Sequence, residues 1–388
     1  MDYVVLSDVC EKIGSGATPR GGSDVYLSKG EISLIRSQNI YNDGFKKNGL
    51  AFITDIHAKE LDNVKVESGD ILLNITGDSV ARCCQVPDKF IPARVNQHVA
   101  IIRPHKDFLD ARYLRYYLIC PLMQDHMLTL ASGGATRNAL TKGMIESFEI
   151  PAPPLPKQRA IAGILGSLDD KIELNQSMNA TLEAMARAVF REWFVDGDEV
   201  GEWEESRLGD VITNYDSKRV PLANRERAIR QGKYPYYGAA SIMDYIDDYL
   251  FDGIYVLMAE DGSVIGDNDH PVIQYVWGKF WVNNHAHVLR GINGICNEHL
   301  YLFLKELNIL PYVTGAVQPK LNQGNMNSIP FVLPPKELSK RFEEFITPLF
   351  AKIRINTDES RTLASLRDSL LPRLMNGDVM AKDVEKEL

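Results

Sequence analysis

The sequence predicts an α+β chain of two tandem, pseudo-repeated globular domains separated by two long helices packed as an antiparallel coiled coil. Three observations predict it. "RVNQHVAIIRP" (Arg94–Pro104) is echoed as "WVNNHAHVLRG" (Trp281–Gly291), with Val, Asn, His and Arg in the same columns. "GATRNALTKGMIESFEIPAPP" (Gly134–Pro154) is echoed as "GAVQPKLNQGNMNSIPFVLPP" (Gly315–Pro335), with seven of 21 positions shared. Each double proline is followed by a long stretch of helical pattern. The echoes lie 187 and 181 residues apart, and a looser pair, "GDILLNITGDSV" (Gly69–Val80) against "GIYVLMAEDGSV" (Gly253–Val264), falls at about 184. A period of this length marks a duplicated domain and not a solenoid.

The elements follow in order. Residues 1–152 form a first domain of short β-rich runs such as "VKVESGDILLNITGD" and "HVAIIRP", broken by Gly, Asp and Pro, with a helical run at "DARYLRYYLICPLMQDHML". Residues 153–196 form a long helix: Ile161, Ile164, Leu165, Leu168 and Ile172, then Met178, Leu182, Met185, Val189 and Phe190, recur at steps of three and four. Residues 197–333 repeat the first texture. Residues 334–388 repeat the helix, with Leu338, Phe342, Phe345, Ile346, Leu349 and Ile353, then Leu363, Leu366, Leu370 and Leu374; Gly377 after Asn376 is its expected stop. At ~1.5 Å per residue each helix reaches on the order of 60 Å, and an apolar stripe of that length needs a partner. The obvious partner is the other helix, which makes the pair a spacer between the domains.

Composition sets limits. With 45% hydrophobic and 24% charged residues the chain is of the globular type. No apolar run approaches the ~20 residues of a membrane span, and the N-terminus lacks the pattern of a secretory signal. The five cysteines (Cys10, Cys83, Cys84, Cys120, Cys296) form no C-x-x-C pair, so neither a disulfide framework nor a structural zinc site is expected, and a reducing, cytoplasmic setting fits. The net charge of −9 is spread as −1 over residues 1–150, −3 over 151–200, −5 over 201–334 and zero over 335–388. No region is a basic domain, so nucleic acid would be bound through local patches, or with a partner supplying phosphate contacts.

A self-sufficient enzyme is not expected. The chain has no G-x-x-x-x-G-K-[ST] phosphate loop, no G-x-S-x-G elbow, no N-P-P-[YF] tetrapeptide of adenine methyltransferases and no Gly-rich turn for S-adenosylmethionine. "PDKF" at Pro87–Phe90 is half of a nuclease motif whose second half does not follow. His285 and His287 alternate, so they share one strand face and could ligate metal, but satisfied core or interface histidines look the same. His98 has no second histidine beside it, because Ala100 stands there. No metal site is therefore assigned.

The polar motifs suit base and phosphate contacts better. "KIGSGATPRGG" places Ser15, Gly16 and Thr18 in a loop that could approach phosphate closely, with Arg20 beside it; a plain turn reads the same way. "LIRSQNI" gathers Arg36, Gln38 and Asn39, side-chain types that contact guanine and adenine edges, although a solvated loop is an equal reading. Arg94, Asn96 and Gln97 in the first echo, Asn283 and Asn284 in the second, and Thr136 and Arg137 in "SGGATRN" join the candidates. "SKRVPLANRERAIRQGKYPYYGAAS" (Ser217–Ser241) holds Lys218, Arg219, Arg225, Arg227, Arg230 and Lys233 against one acid, Glu226, with Tyr236 and Tyr237 close behind. Basic residues interleaved with aromatics are a nucleic-acid signal, with the face of a solvated charged helix as the lesser alternative. Gln318 and Lys320 stand where Arg137 and Ala139 stand in the first half.

Taken together, "IGSGATPRGG", the "VNQHVAIIRP"/"VNNHAHVLRG" pair, the "IPAPPLPKQRAIAGIL" entry into the first helix and the G-A-x-x-x-x-L-x-x-G element before each double proline resemble the specificity subunit of Type I restriction–modification systems, over essentially the whole chain. The resemblance implies two target-recognition domains, each reading one half of a bipartite, asymmetric duplex DNA site, and helices that set the gap. It implies a non-catalytic chain without a cofactor of its own. Two methyltransferase subunits would carry S-adenosylmethionine and methylate adenine N6, and restriction/translocase subunits, expected as two, would carry ATP and Mg²⁺. Loops that differ between the halves, Arg36–Asn39 against Lys218–Lys233, would read different bases. The second half departs from the family pattern, since "LGDVITNYDSKRV" has no S-G-A-T-P. Two rival classes remain: an enzyme acting alone, which would bind S-adenosylmethionine or Mg²⁺ as an isolated chain, and an interaction scaffold, which would show no salt-dependent DNA affinity.

Overall fold

The computed structural model describes residues 3–133, 138–197, 200–315 and 318–384. It divides into two compact units. One comprises the residues up to Glu173 together with those from Arg361 onward, and the other is Leu174–Ser360. Each long helix, Leu155–Phe194 and Lys336–Asn376, is thus shared between the units.

The strands of the first unit are β1 (Tyr3–Val5), β2 (Cys10–Ser15), β3 (Ile32–Ile35), β4 (Ile40–Tyr41), β5 (Gly44–Phe45), β6 (Ala51–Ile53), β7 (Lys65–Val66), β8 (Ile71–Asn74), β9 (Cys83–Gln85), β10 (Ala93–Val95), β11 (Val99–Pro104) and β12 (Glu149–Pro151). They form two four-stranded sheets, β2-β11-β8-β9 and β6-β3-β10-β7, with β1 paired to β12 and β4 to β5. The inner sheet explains the apolar run of "DILLN". β8 is buried on both faces, so its side chains alternate between two cores. Ile71 and Leu73, with Ala100 and Ile102 of β11, face a core of helices; Leu72, with Val99 and Ile101, faces the second sheet.

The strands of the second unit are β13 (Glu204–Arg207), β14 (Ile212–Asn214), β15 (Gln231–Tyr237), β16 (Ile242–Ile246), β17 (Phe251–Asp252), β18 (Tyr255–Ala259), β19 (Ile273–Val276), β20 (Lys279–Val282), β21 (Ala286–Gly291) and β22 (Pro330–Leu333). Their sheets are β14-β21-β18-β19 and β16-β15-β20-β17, with β13 paired to β22. The order matches the first unit strand for strand. Even the parallel pairing recurs, β10 on β3 and β20 on β15. Val256 and Met258 of β18 face the helical core, while Tyr255 and Leu257 face the second sheet. The sequence echo is therefore an echo of topology.

The register also corrects one pairing. Ile35 lies opposite Val95 and Tyr237 opposite Val282, so the segment that follows β3 corresponds to the one that follows β15. Arg36–Asn39 is matched by Gly238–Ser241 and not by Lys218–Lys233. The hairpin from β3 to β6 carries fifteen residues (36–50), where that from β15 to β16 carries four (238–241).

Within each unit the two long helices run antiparallel. In the first, Ile161, Ile164, Leu165 and Leu168 share a core with Leu370, Leu371, Leu374 and Met375. In the second, Ala186 and Phe190 share one with Phe342, Ile346 and Phe350. Each of these Ile, Leu, Met and Phe side chains contributes about 1.5–3 kcal/mol when fully buried. Gly377 ends the second helix at φ 80°, a left-handed stop that suits glycine. Among the described residues, no helix is long and apolar enough to cross a membrane.

Candidate nucleic-acid interface

The repeated Asn-x-His segment is the joint between the two sheets of each unit. The Asn96 side-chain oxygen accepts from the His98 N–H at 3.2 Å, and that of Asn283 accepts from the His285 N–H at 2.8 Å. Such an Asx turn bends the chain sharply from β10 into β11 and from β20 into β21. The Asn96 and Asn283 N–H groups donate to the Ile35 and Tyr237 carbonyls, and the His98 and His285 carbonyls accept from the Ile75 and Glu260 N–H groups. The histidine rings also match: His98 Nδ1 lies 2.6 Å from the Thr76 hydroxyl, and His285 Nδ1 lies 2.5 Å from an Asp261 carboxylate oxygen. Isolated bridges Thr76–Ala139 and Asp261–Lys320 complete the joint. Sequence reasoning missed Thr76 and Asp261. Both lie in the loosest echo, seven and eight residues after its first glycine.

This geometry sorts the candidates. Asn96 and Asn283 are buried, their side-chain oxygens are spent on the turn and the Asn283 amide N–H donates to Met243 Sδ, so they are architectural and do not face solvent. The residues between Asn and His, Gln97 and Asn284, are exposed. In the first unit the Gly/Ser/Thr loop packs on the same turn: Gly16 N–H donates to Val99 O and Ala17 N–H to Val95 O. A Cβ at Gly16 would sit 2.2 Å from the carbonyl oxygens of Val95 and Asn96, so only glycine fits. The Thr18 hydroxyl donates to the Gln97 side-chain oxygen at 2.5 Å. Ser15, Thr18, Arg20 and Gln97 thus share one exposed rim. Thr136 and Arg137 lie outside the described residues.

Arg94 is a correction. It is only 7% exposed, and its guanidinium donates to Ala58 O and Ala93 O and pairs with Asp62 at 3.0 Å, so it pins the short helix Asp55–Glu60 and has no reach to a ligand. Asn39 is another: it is fully buried, accepting from the Arg36 N–H and donating to Lys46 O and Asn48 O. Arg36 and Gln38 both donate to Gly49 O, at 2.6 and 3.0 Å. Arg36 also stacks over Tyr26, 5.3 Å from the ring centre.

Half of the basic run of the second unit, Arg219, Arg227 and Arg230, is neutralised by acids of the same domain. Arg219 pairs with Glu260 at 2.8 Å and with Asp216 at 3.4 Å, and donates to Ala286 O. Arg227 pairs with Asp244 and stacks over Tyr236. Arg230 pairs with Asp247 and stacks over Trp281. Tyr236 and Tyr237 are buried, and the Tyr236 hydroxyl accepts from the Leu222 N–H, so they are core residues and not stacking platforms. Lys218, Arg225, Lys233, Asn284, Gln318 and Lys320 remain exposed.

His285 and His287 do not converge. His287 is buried, with Nδ1 2.6 Å from Asp216 and Nε2 2.9 Å from Leu321 O. Asp216, Glu260 and His287 offer three ligand atoms within 4.8 Å of one another. The Arg219 guanidinium already lies against both acids, as a resident cation in place of a metal ion. Burial pushes the Asp216 carboxyl up, but hydrogen bonds from His287, the Val288 N–H and Asn214 outweigh it and hold it below the usual carboxylate range.

Comparison with known proteins agrees with this architecture. The profile described as "Type I restriction modification DNA specificity domain" matches residues 1–184 and again 201–364, one match for each repeat. A type I restriction enzyme specificity subunit of Methanocaldococcus jannaschii is 26% identical, over 99% of this chain and 94% of that protein. A putative one of Haemophilus influenzae is 36% identical, over 42% of this chain and 40% of that protein. In fold, the chain is similar to the crystal structure of a Type I restriction–modification system S subunit from M. genitalium, with a TM-score of 0.61 at 18% identity, over 96% of this chain and 95% of that one. The two profile matches span most of the sequence, and the chain belongs to the family of Type I restriction–modification specificity subunits.

Proposed function

We propose that each unit reads one half of a bipartite, asymmetric duplex DNA site and that the two long helices set the gap between the half-sites. One observation carries this reading. The same joint is built twice with the same backbone bonds, yet the residues it exposes differ: Ser15, Thr18, Arg20 and Gln97 on one, Lys218, Asn284, Gln318 and Lys320 on the other. A repeated scaffold with unlike polar rims suits reading two different sequences in the same manner. On this reading the chain works in the cytoplasm and carries no cofactor of its own. It recruits two methyltransferase subunits, which hold S-adenosylmethionine and methylate adenine N6. Restriction/translocase subunits with ATP and Mg²⁺ join to cleave unmodified DNA. The acidic surface is tolerable because the methyltransferases supply further positive charge around the duplex.

The test is a methylome. The chain is co-expressed with the methyltransferase encoded beside it, and N6-methyladenine is mapped across the host genome. The expected result is one split motif with a fixed gap. A soluble, associated complex that adds no methylation would overturn the reading.

A further inference from the structure

The fifteen-residue hairpin loop 36–50 is the largest difference between the two units at the joint, and it is unusually well held. It leaves β3 at Ile35, whose carbonyl accepts from Asn96 of the Asn-x-His turn, so it starts beside the exposed rim. The second unit fills the same place with "GAAS" (Gly238–Ser241), a tight turn closed by the Gly238 N–H on Ser241 O. In the first unit three side chains from one short turn aim back at the loop's far arm. Arg36 and Gln38 share Gly49 O, and Asn39 takes Lys46 O and Asn48 O. Gly49 has φ 64°, and a Cβ there would lie 2.4 Å from the Gln38 amide nitrogen. The near arm is fixed too: Asn42 accepts from the Cys83 N–H, donates to Gln124, and offers its carbonyl to Arg115. Lys46 is engaged with Asp43 at 2.8 Å.

What this leaves at the tip of the turn that leads into β6 is Lys47 and Asn48. Both are exposed, and among the described residues no hydrogen bond or ion pair engages either side chain. Their backbone is immobilised on both sides, by the Leu50 N–H on Lys47 O and by Asn39 on Asn48 O. An exposed amide on a fixed backbone loses only side-chain rotamer freedom on binding, and not backbone freedom as well. Asparagine is a side chain that pairs with both N6 and N7 of adenine in the major groove, and a neighbouring ammonium suits a phosphate.

We propose that Asn48 reads an A·T pair of the first half-site, that Lys47 contacts the adjoining phosphate, and that Arg36, Gln38 and Asn39 are positioning residues acting through this tip. This rests on the reading that the first unit binds a half-site. It moves base recognition from Arg36 and Gln38 to two residues that their hydrogen bonds hold in place.

The experiment uses the full chain in complex with its methyltransferase, by methylome and by binding to a duplex carrying the wild-type motif. Asn48→Ala is expected to relax one A·T position of the first half-site by about tenfold to a hundredfold, with the second half-site and the gap unchanged. Lys47→Ala should weaken binding to all duplexes alike and lower the salt slope by about one. Gln38→Ala should relax the same base pair as Asn48→Ala and no other, whereas a merely structural role would weaken all duplexes equally. An unchanged motif with Asn48→Ala, or uniform loss over both half-sites, overturns the inference while the proposed function stands. A wild-type complex without a bipartite motif overturns the function, and the inference falls with it.

Discussion

The Asn175 side-chain amide donates to the backbone carbonyl of Asn356, and both side chains are fully buried between the long helices. These residues lie 181 apart, one of the offsets of the sequence repeat, so equivalent positions of the two repeats meet each other. Asn175 also donates to Glu359 at 2.8 Å, and Asn356 donates to Asn179 at 2.9 Å. Among the described residues, the side-chain oxygens of Asn175 and Asn356 have no hydrogen-bond partner. Such a layer is less stabilising than leucine would be, and its use in helical seams is to fix register. Asn175→Leu alone should cost about 1–3 kcal/mol in chemical unfolding, because it removes the Asn175 bonds to the Asn356 carbonyl and Glu359 and sets an apolar side chain against the buried amide of Asn356. The double replacement with Asn356→Leu should recover that loss or exceed it. In the methylome the double variant should show more than one gap length; a single unchanged gap would sink the register role.

The basic residues of the second unit divide into two groups with opposite expected phenotypes. Lys218→Ala, Arg225→Ala and Lys233→Ala remove exposed charges and should each lower the slope of log K against log salt by about one, with unfolding unchanged. Arg227→Ala and Arg230→Ala break pairs with Asp244 and Asp247 and remove stacking on Tyr236 and Trp281. They should lower the unfolding midpoint and leave the salt slope nearly as it was. A salt titration of duplex binding beside a thermal melt separates the groups.

In the first unit Asp169 ties both helices to the domain. Its carboxylate takes Arg115 at 2.6 Å, the Tyr116 hydroxyl at 2.6 Å and Arg367 at 2.7 Å. Burial pushes this carboxyl up, but Arg115, Tyr116 and Arg367 together hold it below the usual range. Its folded-state value is therefore depressed, so its stabilisation is present above about pH 4 and is lost as the pH falls further. Asp169→Ala leaves the largely buried Arg115 guanidinium without its anion, while Arg367 keeps Asp368, and should cost about 3 kcal/mol at neutral pH. Since Arg115 also holds the Asn42 carbonyl, the variant should loosen loop 36–50. Faster amide exchange there is the signature to look for.

Much of the architecture was legible because the duplication repeats letters where the backbone needs them. Asn-x-His recurs because an Asx turn joins the same two sheets twice, and the helices show in the spacing of Ile161 to Leu168 and Leu363 to Leu374. The site was less legible. Side-chain type does not say which way a residue faces, so Arg94, Asn39 and Tyr236 read as ligands when packing makes them framework. Arg219, Arg227 and Arg230 looked like free charge because their acids, Glu260, Asp244 and Asp247, lie 17 to 41 residues away in sequence. The hairpin pairing was hidden because β3 and β15 share almost no letters; Leu34-Ile35 and Tyr236-Tyr237 fill equal places with unequal side chains. "KKNG", a basic pair before an Asn-Gly turn signal, was the available clue to the tip.

His299 gives the second unit a distinct acid sensitivity. Its ring is buried among Phe190, Phe194, Phe331 and Phe342, with centroids 4.4 to 5.9 Å away. Burial pushes it down to about 3, from an unfolded value near 6.5. The folded state therefore refuses a proton that the unfolded chain accepts. Its neutral ring is compatible with full stability above about pH 6.5, and stability falls by about 1.4 kcal/mol per pH unit from there towards pH 3. His299→Phe keeps an aromatic ring in an aromatic site and removes the titration. At pH 7 the two proteins should melt within a few degrees of each other. Between pH 6.5 and 5 the wild type should lose about 2 kcal/mol more than the variant. Parallel stability curves over that range would mean that water reaches the ring and that the pocket lined by Phe194, Trp203, Phe303 and Phe331 opens to admit the charge.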